Sequence, residues 1–196
     1  MGKRSPAEKE ELLRTELGKW QKFRATGIIE VNYHQYSFRK DFLLQKEDDR
    51  IRIDIMDGGI FGLQPSPFLS VYLDSCLIVK TSGQPAQIMD IKQLELELPY
   101  LHYLRSLSVL WEERDEFIRY QKVVKDDLTF TCNSEMQIIN ISSLRGFQVS
   151  FNYRQEISEI ILAENKKTLA TLKFDQIGYH NIEVVPLLLP IMEEGS

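Results

Sequence analysis

The chain has 196 residues, with 24 Lys and Arg against 29 Asp and Glu, which gives a formal net charge of −5. Its 43% hydrophobic and 27% charged residues are typical of a globular domain and exclude a disordered, collagen-like or coiled-coil chain. A chain of this length can bury a full core without disulfides or metals. The sequence has no run of about 18 apolar residues, so it predicts no membrane-spanning helix. Its acidic balance argues against nucleic-acid binding.

The first predicted element is an amphipathic helix over about residues 6–23. Ser5 suits the N-cap and Glu8 stands three residues later, which is the pattern of a capping box. Leu17 and Trp20 then fall on one face at helical spacing. We expect this face to pack on the rest of the molecule.

After the helix the apolar period changes from 3.6 to 2, which predicts strands. Alternating apolar residues occupy segments 25–33, 38–44 and 51–55, and two shorter strands follow before residue 98. Short polar turns join these segments, so we expect consecutive antiparallel strands with one apolar face. The pattern places Asp54 on the opposite face, where we expect it to be solvated. The first half of the sheet therefore spans about residues 25–98.

Segment 57–67 interrupts this pattern with three glycines and two prolines, which exclude regular structure there. It nevertheless carries the large apolar residues Phe61 and Leu63. A loop of this kind can contact a membrane or a protein partner. Alternatively, the two side chains fold beneath the loop.

The middle of the chain predicts a helical insertion over about residues 99–124, in which Leu104 and Trp111 share a face. Alternation returns at residue 127 and continues to about residue 186, with a last short strand around Ile182–Val185. The layout predicts one domain over residues 1–196, mainly β (α+β). Its curved antiparallel sheet of about 11 strands is covered by the N-terminal helix and the insertion.

The sequence lacks the patterns of catalytic and metal sites. His34, His102 and His180 are far apart and form no HxxxH pair, and no nucleophile elbow or phosphate loop is present. Cys76 and Cys132 belong to no CxxC motif, and their spacing leaves a disulfide between them open. We therefore expect a protein that is not an enzyme and that uses no cofactor or metal.

The apolar face of the predicted sheet has only two helical segments to cover it. Either the side chains fill a solid core, or they line a cavity suited to an acyl chain. The candidates for the lining of such a cavity are Leu17, Trp20, Ile29, Phe42, Ile53, Ile55, Leu104 and Trp111.

Three consecutive segments carry a resemblance to a known family. They are the helix end and first strand at Trp20–Gly27, the strand Phe38–Lys46 and the strand Asp49–Ile55. This order resembles the start of the bacterial lipoprotein-localisation proteins, the LolA/LolB-like superfamily. The helical insertion and the late short strands also fit, so the resemblance covers nearly the whole chain.

The resemblance implies an incomplete antiparallel β-barrel, covered by helices, that holds acyl chains in an apolar cavity. It also implies a location in the bacterial periplasm or at the outer membrane through a lipidated Cys, with any native signal peptide absent from this chain. In one branch of the family the loop after the third strand contacts the membrane, and Phe61 and Leu63 occupy that loop here. No N-terminal Cys is present for lipidation. Neither a soluble carrier nor an anchored acceptor is therefore favoured.

Together these observations predict non-enzymatic binding of lipid or lipoprotein acyl chains, for transport to or insertion in the bacterial outer membrane. The expected partners are acyl chains and the outer-membrane surface or an envelope protein, and the expected state is a monomer. The alternative is a structural or assembly lipoprotein of the envelope, with a filled core and a hydrophobic loop that binds a partner.

Overall fold

A computed structural model describes residues 4–58, 66–93, 105 and 107–187. In these ranges the helices of five residues or more are α1 (Pro6–Gln21), α2 (Ser108–Glu112) and α3 (Arg114–Tyr120). The strands are β1 (Lys22–Tyr33), β2 (Tyr36–Glu47), β3 (Arg50–Met56), β4 (Pro67–Leu73), β5 (Cys76–Thr81), β6 (Gln87–Asp90), β7 (Lys122–Lys125), β8 (Leu128–Cys132), β9 (Ile138–Ser143), β10 (Phe147–Tyr153), β11 (Ile157–Glu164) and β12 (Lys167–Gly178).

All twelve strands form one antiparallel sheet in the order β6-β5-β4-β3-β2-β1-β12-β11-β10-β9-β8-β7. The pairing of β12 with β1 joins the two halves of the chain. Strands β6 and β7 are the two edges and do not pair with each other, so the sheet is not closed into a barrel. The prediction of a mainly β, incomplete antiparallel barrel with a few helices is thus confirmed, with one strand more than expected.

Two element boundaries lie a few residues before their predicted positions. Helix α1 ends at Gln21 rather than near residue 23, because Lys22 already has extended dihedrals and pairs with Glu47 of β2. The predicted helical insertion runs to residue 124, whereas α3 ends at Tyr120 and β7 follows. The change occurs at Gln121, whose left-handed φ of 55° turns the chain out of the helix.

The segment after β12, residues 179–187, forms no strand, which corrects the strand predicted at Ile182–Val185. Arg52 Nη1 donates a hydrogen bond to the Val185 carbonyl at 2.8 Å, so this backbone carbonyl is paired with a side chain and not with the backbone of a neighbouring strand. The buried Val184 packs against Tyr72 and Ile78 of β4 and β5. This C-terminal segment covers part of the convex face of the sheet.

Asp54 is buried, with 3% of its surface exposed, rather than solvated as expected. Its carboxylate accepts two hydrogen bonds from Arg52, at 2.9 and 3.2 Å. The same guanidinium also donates to the carbonyl of Val185 in the C-terminal segment. Because this segment covers the convex face here, Asp54 is shielded from solvent.

The main core lies on the concave face, between the helices and strands β7–β11. Leu13 of α1, Phe117 of α3 and Phe130 of β8 are fully buried in it. Close packing of this kind leaves little room for a ligand. This half of the concave face is therefore filled.

Gly27 lies where β1 and β12 approach closely, beside a β-bulge between Thr26 and Gly27. A Cβ atom at this position would lie 1.9 Å from the carbonyl oxygen of Lys173. Only glycine fits there, so the junction between the two halves of the sheet depends on this residue.

Candidate functional site

The predicted cavity residues lie in separate places. Ile29, Phe42, Ile53 and Ile55 come together on the concave face of the first half of the sheet. Leu17 and Trp111 line a cleft between α1 and α2. Trp20 borders a third space beneath α1.

The strand register brings the first group together, because Phe42 pairs directly with both Gly27 of β1 and Ile55 of β3. We call the whole cluster the concave patch. Its buried members are Ile29, Phe42 and Ile55, and its half-buried members are Val31, Phe38, Leu44, Ile53, Phe68, Leu69, Leu172 and Phe174.

The concave patch extends over five adjacent strands, from β12 through β1, β2 and β3 to β4. At about 4.8 Å between strands and about 3.4 Å per residue along them, it is roughly 20 Å in each direction. In the part of the chain that the structure describes, no helical side chain belongs to it. The main core is different, because Leu13 of α1 and Phe117 of α3 are central there.

Polar groups near the concave patch are few. Lys40 shares the face, since it pairs with Ile29, but its ammonium is bound to Asp57 at 2.6 Å and lies 5.4 Å from the Phe68 ring. Phe42 and Phe174 meet edge to face at 5.7 Å. The patch therefore offers an apolar ligand a broad surface and offers a polar ligand little directional hydrogen bonding.

The cleft between α1 and α2 has a volume of about 620 Å³. The β2–β3 turn forms its floor, and Leu17 and Leu107 contribute apolar wall. Trp111 lies between the guanidinium groups of Arg14 and Arg114, at 5.2 and 5.3 Å from their central carbons. The cleft is thus mixed in character, with apolar walls and a charged margin.

Lys46 is the buried charged residue of this cleft, with 5% of its surface exposed. It stands on the same face of β2 as Phe42 and Leu44, at the end of the concave patch nearer to α1. Its ammonium donates a hydrogen bond to the Asp48 carbonyl. Burial lowers the pKa of Lys46 to about 8, against the opposing effect of the Asp49 and Asp48 carboxylates.

The space beside Trp20 is small, with a volume of about 20 Å³, which is room for about one water molecule. The indole ring packs edge to face on Phe23 at 5.7 Å and on Phe151 at 5.5 Å. Glu16 and Tyr153 also line the space, and burial raises the pKa of the Tyr153 hydroxyl. This space is therefore far too small to hold a hydrocarbon chain.

Leu104, Phe61 and Leu63 lie outside the described residues, so their roles stay predictions. Sequence reasoning missed Lys46 and Phe174. The signal for Lys46 was its position two and four residues after Leu44 and Phe42, which puts it on the apolar face. The signal for Phe174 was weaker, because its contacts come from β1 and β2, far away in sequence.

The structure adds three observations on chemistry and membranes. Within the described ranges, no group of three His, Cys, Asp or Glu residues is arranged to hold a metal ion. Cys132 is buried and Cys76 half-buried, and both are free thiols. No helix among the described residues is long and apolar enough to cross a membrane.

No protein-family model matches the chain, and no curated protein matches it by sequence. The solved structures that match the chain include three of low sequence identity. The MucA/MucB complex of Pseudomonas aeruginosa matches at 11% identity and a TM-score of 0.36, over 93% of this chain and 67% of that chain. MucB in complex with MucA(peri) matches at 13% and 0.29, over 93% and 57%. LprF from Mycobacterium bovis matches at 8% and 0.33, over 96% and 98%.

Proposed function

We propose that the chain is a non-enzymatic binding protein for lipid or lipoprotein acyl chains in the bacterial envelope, serving transport to or insertion in the outer membrane. The observation that carries the proposal is the concave patch, with its eight half-buried apolar side chains on one curved face. The resemblance of segments 20–27, 38–46 and 49–55 to lipoprotein-localisation proteins supports the envelope setting.

The dimensions and the chemistry of the patch fit a hydrocarbon chain. One leaflet of a bilayer has a hydrocarbon thickness of about 15 Å, which is shorter than the roughly 20 Å of the patch. Each methylene group that leaves water contributes about 0.8 kcal/mol, so a partly buried chain gains substantial affinity without any hydrogen bond. A sugar or a peptide would need directional polar groups, which the patch supplies sparingly.

The proposal is tested by titrating the protein with a fluorescent fatty acid. Ile53 is half-buried in the concave patch, so Ile53→Asn is expected to weaken binding about tenfold or more by removing apolar area and adding an amide. Ile161 is half-buried on the opposite face of the sheet, since it pairs with Thr171 in the alternate register. Ile161→Asn is therefore the matched control and is expected to bind the fatty acid like the wild type.

A second candidate function is a structural or assembly lipoprotein whose interior is filled. The main core favours it, because the half of the concave face beneath α1 is closely packed and the space beside Trp20 is only about 20 Å³. Under this alternative the wild type takes up no fatty acid, and Ile53→Asn alters only stability. Saturable uptake that Ile53→Asn weakens and Ile161→Asn preserves would exclude it.

A further inference from the structure

Lys46 lies on the concave face of β2, in the row of residues next to the concave patch. It pairs with Phe23 of β1 and Ile51 of β3, whereas Leu44, a patch residue two positions earlier, pairs with Ile53. At about 3.4 Å per residue, the Cα atom of Lys46 is roughly 7 Å from that of Leu44. The cleft between α1 and α2, which Lys46 lines, therefore adjoins the concave patch.

The Lys46 ammonium has more hydrogen-bond donors than it has acceptors around it. An ammonium carries three N–H donors. Among the described residues, the backbone carbonyl of Asp48 is its one acceptor, although only 5% of the surface of Lys46 is exposed. A ligand that fills the cleft excludes water from the other two donors. Such a ligand must therefore bring an oxygen acceptor of its own, or it leaves buried donors unpaired.

The charges around the cleft favour an uncharged acceptor over an anion. The charged side chains that line the cleft are Arg14, Lys46, Asp48, Asp49 and Glu112. Arg105, whose guanidinium donates to the Asp49 carbonyl, adds a third cation, so positive and negative charges balance. Arg14 is also engaged elsewhere, with Glu10 at 3.5 Å and Glu11 at 2.8 Å. The cleft thus has no surplus of positive charge to hold a carboxylate or a phosphate.

A glyceryl ester of an acyl chain has the chemistry that these observations require. Its carbonyl oxygen is an uncharged acceptor, and its glycerol hydroxyls can donate to the carboxylates at the margin of the cleft. Leu17 and Leu107 form apolar wall for the first methylene groups. From Lys46 to Phe38 the same face of β2 extends over eight residues, or roughly 27 Å, which exceeds the hydrocarbon thickness of about 15 Å of one leaflet.

We propose that Lys46 donates to the ester carbonyl of an acyl glycerol, whose glyceryl group lies in the cleft and whose acyl chain runs along β2 over the concave patch. This inference rests on the acyl binding proposed above and adds the class of the ligand and its direction. Lys40, the other lysine on this face of β2, is bound to Asp57 at 2.6 Å and so does not compete for the carbonyl. The buried ammonium is the polar end of a site that is otherwise largely apolar.

Calorimetric titration with two uncharged lipids tests the proposal. The first is monolauroylglycerol, and the second is dodecyl glyceryl ether, which has a similar chain but lacks the carbonyl. The wild type is expected to bind the ester about tenfold more tightly, because the ether loses a hydrogen bond to a charged donor. Lys46→Met keeps the length of the side chain and removes its donors, so it is expected to bind both lipids equally, with the affinity of the ether. Circular dichroism checks that the variant is folded.

Lys40→Met is the matched control and is expected to keep the preference for the ester. A preference that disappears in Lys40→Met and persists in Lys46→Met would overturn the proposed direction. Equal binding of ester and ether by the wild type, with both weakened by Ile53→Asn, would overturn the role of Lys46 and leave acyl binding intact. Tighter binding of laurate than of monolauroylglycerol would overturn the uncharged carbonyl in favour of a carboxylate. Absence of binding by all three lipids would overturn this inference together with the proposed function.

Discussion

Replacing Lys46 by Met tests how the protein tolerates a buried ammonium in its cleft. Met has a similar length and no charge, so Lys46→Met keeps the packing and removes the desolvation of the charge. The shift in pKa from 10.5 to about 8 corresponds to a cost of about 3 kcal/mol to the folded state while the amine is protonated. Loss of the hydrogen bond to the exposed Asp48 carbonyl offsets about 1 kcal/mol of this. We therefore expect the variant to be more stable than the wild type by about 2 kcal/mol near neutral pH.

The pH dependence follows from the direction of the shift. The folded-state pKa of about 8 lies below the unfolded value of 10.5, so between these values the unfolded chain binds more protons and stability rises with pH. Below about pH 8 both states are protonated and the full cost is present. The stability gap between Lys46→Met and the wild type is thus expected to shrink as pH rises from 8 to 10.5.

Urea unfolding at neutral pH and at about pH 10, followed by circular dichroism, measures this gap. Lys80→Met is the control for the substitution itself, because Lys80 is exposed on β5 and its replacement is expected to change the free energy of unfolding by less than about 0.5 kcal/mol. A loss of stability in Lys46→Met at neutral pH would contradict the reasoning, since it would make the ammonium a net stabilising group. A gap that stays constant with pH would contradict it as well.

Two further predictions concern the stability of the sheet itself. Gly27→Ala is expected to lower the free energy of unfolding by about 3 kcal/mol or more in thermal or urea unfolding, because its Cβ would lie 1.9 Å from a backbone oxygen. Gly18→Ala is the control: this position in α1 has nothing within 4 Å, so the substitution is expected to stabilise the protein by about 0.5–1 kcal/mol. Equal effects of the two substitutions would contradict this reasoning. Arg52→Ala is expected to cost about 3 kcal/mol in the same assays, because it leaves the Asp54 carboxylate buried and unpaired. Arg39→Ala, which removes a more exposed ion pair, is expected to cost under 1 kcal/mol, and a similar loss in both variants would show that burial of the pair is irrelevant.

The sequence predicts the local features of this fold well. Alternation along segment 51–55 places Ile53 and Ile55 on one face, and the structure has both in the concave patch. The capping box at Ser5 and Glu8 is also present, with the Glu8 carboxylate accepting from the Ser5 backbone at 2.6 Å. Such signals are local, because backbone geometry alone determines them.

Features that depend on distant parts of the chain could not be predicted. Asp54 is buried by Arg52 together with a segment more than 120 residues later, and no pattern around residue 54 encodes that cover. The pairing of β12 with β1, which joins the halves of the sheet, is equally non-local. Helix α3 ends before Gln121, which has a left-handed backbone conformation. Glycine is the usual residue at such a position, and because glutamine stands there instead, the sequence carries no signal for the end of the helix.

The sequence also could not predict that one half of the concave face is a filled core and the other half a broad apolar patch. Periodicity treats Leu17, Trp20 and Phe42 alike, as apolar residues on one face of their elements. In the structure Trp20 packs tightly beside a space of about 20 Å³, whereas Phe42 belongs to a broad patch that no described helix joins. Whether apolar side chains fill a core or line a surface depends on which elements meet, and this is a tertiary property.

Native mass spectrometry of the purified protein, followed by organic extraction of bound lipid, tests acyl-chain binding most directly. We expect a mass increment from bound lipid, or saturable uptake of added fatty acid by emptied protein. Ile53→Asn is expected to lose much of this uptake and Ile161→Asn to keep it. Protein that is always empty and takes up no fatty acid would contradict the account.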